Sequence, residues 1–542
     1  MNTAKRFAAL AAAAMMAASL SARAVTMDQV KVEKPVKNVI LLIPDGMSSD
    51  GVTLARWYRN GEALNLDAMA SGMVRTHSSD AAIADSAPAG TAMATGFKSH
   101  TGFVGVLPDE NTMPGLEPLA EQDKRRPVAN ILEAAQLAGK ATGIIATSEI
   151  MHATPADFSA HDPSRKNYDA LSEQQVFQEM DVVLGAGSLF LSAEGRDDRE
   201  DLVEIIKKDY QYVTTPEEMA AVKEGKLWGM FAETSLAYDF DRDPAKQPSL
   251  AEMTQKAIEL LSQNEKGFFL MVEGSKVDWA AHANDPVGII SDILSFDRAV
   301  GAALDFAKQD GATLVIAATD HGNSGISIGS AATSGDYDKR PLSDFMAPLM
   351  KAKKTGEGLA AMLNEDRSNA ADVLKEYYGI EDAAEEELEL VKAAEARNMN
   401  ATVGPMIARR ANIGFTTGGH TGGDVTLYVW APEGLSQLTG TVDNTDIARY
   451  MESAMGLDLA GATARLFVRA AEAFAAKGAE VSLDETDAAN PALVVKKGDT
   501  ELRLTINRNI ALVNGEEVRL DGVVVNSGEV YVPQSAVDLI AQ

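Results

Sequence analysis

"VKNVILLIPDGMS", residues 36–48, decides the fold. The apolar run 39–43 has the pattern of a strand covered on both faces, and Pro44 ends it. Asp45 then stands at the strand's carboxyl end. The same plan, an apolar run followed by a polar cluster, returns in "GKATGIIATSEIMHATPA" (139–156), "KGFFLMVEGSKVDWAAHAND" (266–285) and "GATLVIAATDHGNSG" (311–325). Helical segments lie around and between them, at 127–138, 249–263 and 288–309. Alternating strands and helices predict an α/β fold with a mostly parallel central sheet and helices on both faces. Ligands of such sheets gather beyond the carboxyl ends of the strands, where all four polar clusters fall.

Residues 326–412 break this rhythm. "EDAAEEELELVKAAEARN" (381–398) is acidic and helical, so the block reads as an inserted surface subdomain. "GGHTGGDVTLYVWAPEG" (418–434) returns to a turn and a strand, and a helix at 445–456 closes the core. A further helix at 460–476 falls in a helical connector, 459–478. From 479 short alternating runs with turns at Asn514-Gly515 and Asp521-Gly522 predict a small β-rich C-terminal module. "ETDAANP" (485–491) reads as its linker. The catalytic domain expected from this division spans 25–458.

The chain has 542 residues and a formal charge of −30. Lys5 and Arg6, the apolar run 7–20 and the small-residue pattern "ARA" (22–24) read as a signal peptide, 1–24, cleaved after Ala24. The mature protein is then expected in the periplasm or secreted. Residues 1–24 hold three basic groups and no acidic one, so the remainder carries about −33. Such a charge argues against nucleic-acid binding. No later run predicts a membrane span. With no cysteine there is no disulfide and no thiolate ligand, and any zinc must be held by His, Asp and Glu. An anionic substrate would need bound cations to reverse the local field.

Of seven histidines, His282, His321 and His420 occur in short motifs at predicted strand exits. In "VDWAAH", Asp278 and His282 are spaced i, i+4 and share one helix face. In "TDHG", a tight bend lets Asp320 and His321 point the same way. Imidazole and carboxylate suit zinc, and these four with His420 and Asp45 are enough for two ions. Glu273, the Thr154 hydroxyl and a second oxygen of Asp45 form a hard oxygen set suited to magnesium. Ser86 lies in "DAAIADSAPAGTAMATG" (80–96). It is either a helix-capping residue, with Asp85 the other candidate cap, or a nucleophile whose proton is acidified by a nearby metal. In the second case Ala87, Ala89 and Gly90 would leave room for a bulky anion.

Taken together, "PDGM", "DSAPAGTAMATG", "HATPA", "SRKNY", "VEGSKVDWAAH", "TDHG" and "GGHTGGD", in this order over 36–456, resemble the alkaline phosphatase family. The resemblance implies a phosphate monoesterase with two zinc ions, one magnesium ion and a phosphoserine intermediate at Ser86. It implies that Asp278, His282 and His420 hold one zinc, that Asp45, Asp320 and His321 hold the other, and that Asp45, Thr154 and Glu273 hold magnesium. Arg165 is implied as the phosphate clamp by the resemblance alone. It also implies a homodimer acting on small phosphate monoesters. Two positions depart from the best-known bacterial pattern, which has Asp at His152 and Lys at Trp279. His152 makes zinc a candidate for the third site, and Trp279 removes a cation that would reach phosphate through water. The C-terminal module is similar to small β domains of copper amine oxidases and bacterial surface proteins, so contact with an envelope component, or simple packing on the core, is expected of it. The competing readings are a phosphodiesterase or sulfatase of the same superfamily, and a non-catalytic metal-binding surface protein.

Overall fold

The computed structural model describes residues 27–487 and 489–541. The expected signal peptide lies outside the described residues. Ten strands form one sheet: β1 (Asn38–Ile43), β2 (Ala70–Arg75), β3 (Ala141–Glu149), β4 (Val182–Ala186), β5 (Gln211–Val213), β6 (Leu227–Met230), β7 (Phe268–Glu273), β8 (Thr313–Ala318), β9 (Val425–Trp430) and β10 (Gly440–Asp443). Their spatial order is β10-β2-β9-β8-β1-β7-β3-β4-β6-β5. All pairings are parallel except the two made by β9, which runs against β2 and β8.

β1 lies near the middle, paired on one side with β7 and on the other with β8. Residues 39–43 are fully buried because both faces are covered. Ile40 and Leu42 face the helices Pro286–Asp310 and Leu250–Leu261. Val39, Leu41 and Ile43 face the helices Ser86–Thr95, Ile131–Leu137 and Asn444–Met455. Each such burial is worth about 1.5–3 kcal/mol, which is why the run admits no polar residue. Beyond Pro44 the chain must turn at once. Gly46 has φ +68°, and a Cβ there would come 2.6 Å from Asp278 Oδ1, so glycine is required both by conformation and by space.

The insert is helical, with helices Ser343–Leu349, Gly356–Ala360, Ala370–Tyr378, Glu385–Ala393 and Met399–Arg410. Its apolar side, including Leu349, Leu374, Tyr378 and Val403, is continuous with the core on the Ile40 face of the sheet. The buried Tyr378 hydroxyl donates to Asp285 Oδ1 at 2.9 Å, joining the insert to the N-cap of the long helix. The block is therefore an extra helical layer over the core; the acidic residues of 381–398 are exposed except Glu387, which is buried against Arg410.

The C-terminal module is a five-stranded antiparallel sheet of Glu480–Asp484, Ala492–Lys497, Thr500–Thr505, Ile510–Val513 and Glu516–Arg519. Asn514 and Gly515 both take positive φ, 50° and 88°, and close the last hairpin. Residues 485–491 are not a linker between units. They connect two neighbouring strands of this sheet. The predicted helix 460–476 is interrupted, because Val468–Arg469 leaves the helical path to pair with Val530–Val532. The module packs on the catalytic core. Arg508 Nε donates to Glu173 Oε1 at 2.6 Å, its Nη2 reaches Glu200 at 2.7 Å, and its guanidinium lies over the Phe177 ring. Asn507 and Asn509 add bonds to Glu173 and Glu179.

Glu173 is nine-tenths or more buried, so removing its cation strands a carboxylate. Arg508→Ala is expected to cost about 2–5 kcal/mol and to give the module its own early melting transition in calorimetry. An unchanged single transition would remove Arg508 as the anchor.

Candidate active site

The candidate residues meet beyond the carboxyl ends of the central strands. Asp45 follows β1, Glu273 ends β7, and Asp320 with His321 follows β8. Asp278 and His282 lie on the short helix Lys276–His282. His152 and Thr154 follow β3, and Ser86 opens the helix Ser86–Thr95. His420 arrives on a two-residue strand, His420–Thr421, paired with Gly322–Asn323.

Three imidazoles form a row that starts at the serine. Ser86 Oγ is 3.0 Å from His321 Nε2. The His321 and His420 rings stack with centroids 3.6 Å apart, and His420 and His282 follow at 4.9 Å. Asp320 Oδ2 and Asp45 Oδ1 stand 3.1 and 3.4 Å from His321 Nε2. Asp278 Oδ2 stands 3.4 Å from His282 Nε2, and its Oδ1 stands 3.7 Å from His420 Nε2. Two trios have ligand atoms within 4.8 Å of one another: Asp45, Asp320 and His321, and Asp278, His321 and His420. His321 thus sits between the two groups.

The donor set fits divalent cations. His282 Nδ1 faces the Gly418 carbonyl at 2.8 Å, and His420 Nδ1 faces the Ala84 carbonyl at 2.7 Å. Those acceptors fix the proton on Nδ1, so in the neutral rings the Nε2 lone pairs point inward. Both oxygens of Asp45, Asp320 Oδ2, Glu273 Oε1 and Thr154 Oγ1 are buried without a hydrogen-bond partner. Burial pushes Asp45 well above the usual carboxylate range, and repulsion from Asp278, Asp320 and Glu273 adds to it. Burial likewise drives Glu273 up to about 8, with Asp320 and Asp278 contributing. Asp278 moves the other way: burial works to raise it, but three imidazoles, His282 foremost, hold it below its ordinary value. A buried cluster of mutually repelling carboxylates with unused lone pairs is completed by a cation.

Neither capping reading of the serine stretch holds. Asp85 occupies the N-cap position without capping the helix. Its carboxylate instead accepts from Arg165 Nη1, which brings the arginine beside Ser86. Nor does Gly90 make room for an anion. All ten residues of Ser86–Thr95 are buried, and a Cβ on Gly90 would fall 2.1 Å from Asp157 Oδ2. Gly90 is small so that the helix can lie on Asp157, whose other oxygen accepts from Thr91 at 2.8 Å.

His152 is brought to Arg165 and Trp279. Its Nε2 lies 3.1 Å from Arg165 Nη2, and its ring meets Trp279 edge-on. Burial, then Arg165, pulls its pKa to about 3, so it stays neutral. Its Nε2 lone pair is used by Arg165, and no bond joins it to Thr154 or Glu273. The sequence reading missed Asn323, whose amide donates to Asp278 Oδ1 at 2.6 Å and sets that carboxylate. Its signal was position, two residues past His321 on the same turn. It also missed the roles of Asp85 and Asp157.

The family profile described as alkaline phosphatase matches residues 36–457. The chain belongs to the alkaline phosphatase family. A second profile, the copper amine oxidase N-terminal domain, matches residues 458–540. Alkaline phosphatase 4 of Bacillus subtilis is 38% identical over 437 residues, covering 77% of this chain and 88% of its own. The crystal structure of the cold-active alkaline phosphatase of a Shewanella species superposes with a TM-score of 0.66 at 30% identity, over 77% of this chain and 99% of that one. That of Thermus thermophilus gives 0.70 at 26% identity, over 80% and 94%. The protein is a phosphatase of this family, a family that uses metal ions. Among the described residues no helix is long and apolar enough to cross a membrane.

Gly90→Ala is expected to lift the serine helix off Asp157, lowering stability by about 1–3 kcal/mol and reducing kcat more than KM. Wild-type stability and kcat in that variant would show that the contact does not position Ser86.

Proposed function

We propose that this alkaline phosphatase is an exported phosphate monoesterase that works through a phosphoserine at Ser86, with two zinc ions and a third, oxygen-ligated magnesium ion. The observation that supports this most is the placement of the Ser86 hydroxyl against His321, at the edge of buried carboxylates with unpaired oxygens and beside Arg165. Asp278, His282 and His420 would hold one zinc, Asp45, Asp320 and His321 the second, and Asp45, Thr154 and Glu273 the magnesium. When bound, such ions supply positive charge that acidifies a hydroxyl and offsets the charge of a phosphoryl group. The nearness of His321 Nε2 to Asp45, Asp320 and Ser86 supports a ligand role for that atom, while its Nδ1 has no partner. A serine–histidine couple would need a third group to orient the imidazole.

The chain's own residues set the geometry. The buried helix fixes Ser86 with its hydroxyl toward the strand ends. Asp85 holds the guanidinium of Arg165, whose planar fork matches two phosphoryl oxygens. His152, neutral and bonded to the same guanidinium, orients Arg165 from the other side. His152 keeps a buried Nδ1 without a partner, while Asp45, Thr154 and Glu273 would supply an oxygen set that suits magnesium. Ser86 together with Thr154 and Glu273 favours a monoesterase over the phosphodiesterase and sulfatase readings.

The test is a side-by-side rate on a chromogenic monoester and the matching diester, in chelated protein and after zinc and magnesium are restored. The expected result is restored turnover that strongly favours the monoester. Diester preference, or no turnover in fully metallated protein, would overturn the reading. Ser86→Ala is expected to lower kcat on the order of 10³-fold or more with metal content unchanged. Asn323→Ala is expected to weaken zinc retention about 10- to 100-fold, read by metal-buffered titration of bound zinc.

A further inference from the structure

Asp85 and His152 grip Arg165 at its tip, but other groups decide where its backbone stands. The segment 161–167 lies against residues 102–104. The Arg165 N–H donates to the Gly102 carbonyl at 2.8 Å, and Asp162 and Val104 exchange both backbone bonds at 2.9 Å. The Asp162 carboxylate folds the segment on itself, accepting from the Ser164 N–H at 2.7 Å and from Asn167 Nδ2 at 2.9 Å. At one end of the segment stands the buried His161. At the other, the helix Tyr168–Phe177 begins three residues after Arg165.

One side chain ties these two ends together. Gln174, buried on that helix, accepts from the His161 N–H through Oε1 at 2.8 Å. Its Nε2 donates back to the His161 carbonyl at 3.0 Å. The same Nε2 donates to Oδ1 of Asn507, in the C-terminal module, at 3.0 Å. Asn507 Nδ2 in turn donates to Glu173 Oε2, on the neighbouring residue of the helix, at 3.1 Å. Asn507 takes φ +69°, and its N–H is bonded to the Val524 carbonyl at 2.7 Å, so a turn of the module itself presents its side chain. Phe467, in the stretch leading to the module, meets the His161 ring edge-on with centroids 4.6 Å apart. Both ends of the arginine segment are therefore in contact with the C-terminal part of the chain.

We infer that the C-terminal module helps to build the phosphate site, with Asn507 as a positioning residue that acts through Gln174 and the segment 161–167 on Arg165. This role rests on the reading of Arg165 as the phosphate clamp and adds to it what sets the clamp. Arg508 fastens the module to the core, whereas Asn507 reaches the one side chain that also holds His161. Without Asn507, Gln174 would keep its bonds to His161 and lose the one that fixes its own rotamer. A long amide side chain holds a neighbour in place only as well as its own second contacts hold it. A guanidinium that must meet two phosphoryl oxygens at once tolerates little displacement.

The test measures binding of inorganic phosphate by calorimetry, with KM and kcat on a chromogenic monoester, in the full metallated chain. The proteins are the wild type, Asn507→Gly, Gln174→Met, Arg165→Ala and their pairwise combinations. Glycine suits the positive φ of position 507, so Asn507→Gly removes the side chain without straining the turn. It is expected to weaken phosphate binding and raise KM by about three- to tenfold, the worth of one hydrogen bond, with a smaller change in kcat. Gln174→Met cuts the link from the core side and is expected to lose at least as much, with Asn507→Gly adding nothing to it. Arg165→Ala is expected to weaken phosphate binding by itself and to abolish the effect of both other changes. Wild-type phosphate binding in either single variant would overturn the positioning role. So would an undiminished loss in the Arg165→Ala background, since the link would then act elsewhere. Unchanged phosphate binding in Arg165→Ala alone would bring down the clamp reading itself, and the positioning role with it.

Discussion

Like charges brought together in a dry place govern this molecule. Asp45, Glu273, Asp278 and Asp320 come from three separate segments and meet at one edge of the sheet, where burial forbids water from screening them. Ile43 of β1 pairs with Glu273 of β7, so the register of two central strands fixes how close the carboxylates stand. The apolar strands supply the energy that holds this arrangement, and the arrangement in turn calls for cations. A formal charge of −30 over the chain makes the need sharper. On the reading proposed above, cations held at the strand ends and Arg165 would offset that charge for a phosphate ester.

The parts of this plan carried by local sequence were legible in it. A five-residue apolar run ended by proline declares a buried strand without reference to anything distant, and an acid and a histidine spaced i, i+4 declare a shared helix face. Contacts across long separations were not legible. Asp85 and Arg165 are 80 residues apart, and nothing near either one marks the pair, so Asp85 looked like a cap. The small residues of the serine helix looked like space for a ligand because composition cannot say what a glycine faces, and Gly90 faces Asp157. Residues 485–491 have the polar, proline-ended composition of a linker, yet serve as a connection within one sheet. The break at Val468–Arg469 depends on a strand some 60 residues later, which no helical periodicity could reveal.

The two additions to the core lie on opposite faces of the sheet. The insert merges its apolar side with the core on the Ile40 face. The C-terminal module joins the core on the Ile43 face through Val523, Val525 and Tyr531. Directional bonds around Arg508, with Phe177 beneath, add to that apolar contact.

The single reversed strand, β9, has a consequence for how this protein can change. Because it runs against its neighbours, it begins at the edge where they end, and His420 reaches the row of imidazoles just before the strand starts. His420–Thr421 is laddered to Gly322–Asn323, and Ile413–Gly414 to Ser327–Ile328. Entry to and exit from the insert are thereby stapled to each other. What lies between those staples starts and ends at one place beside the site. A change of length within it would leave the two staples, and with them the position of His420, where they are.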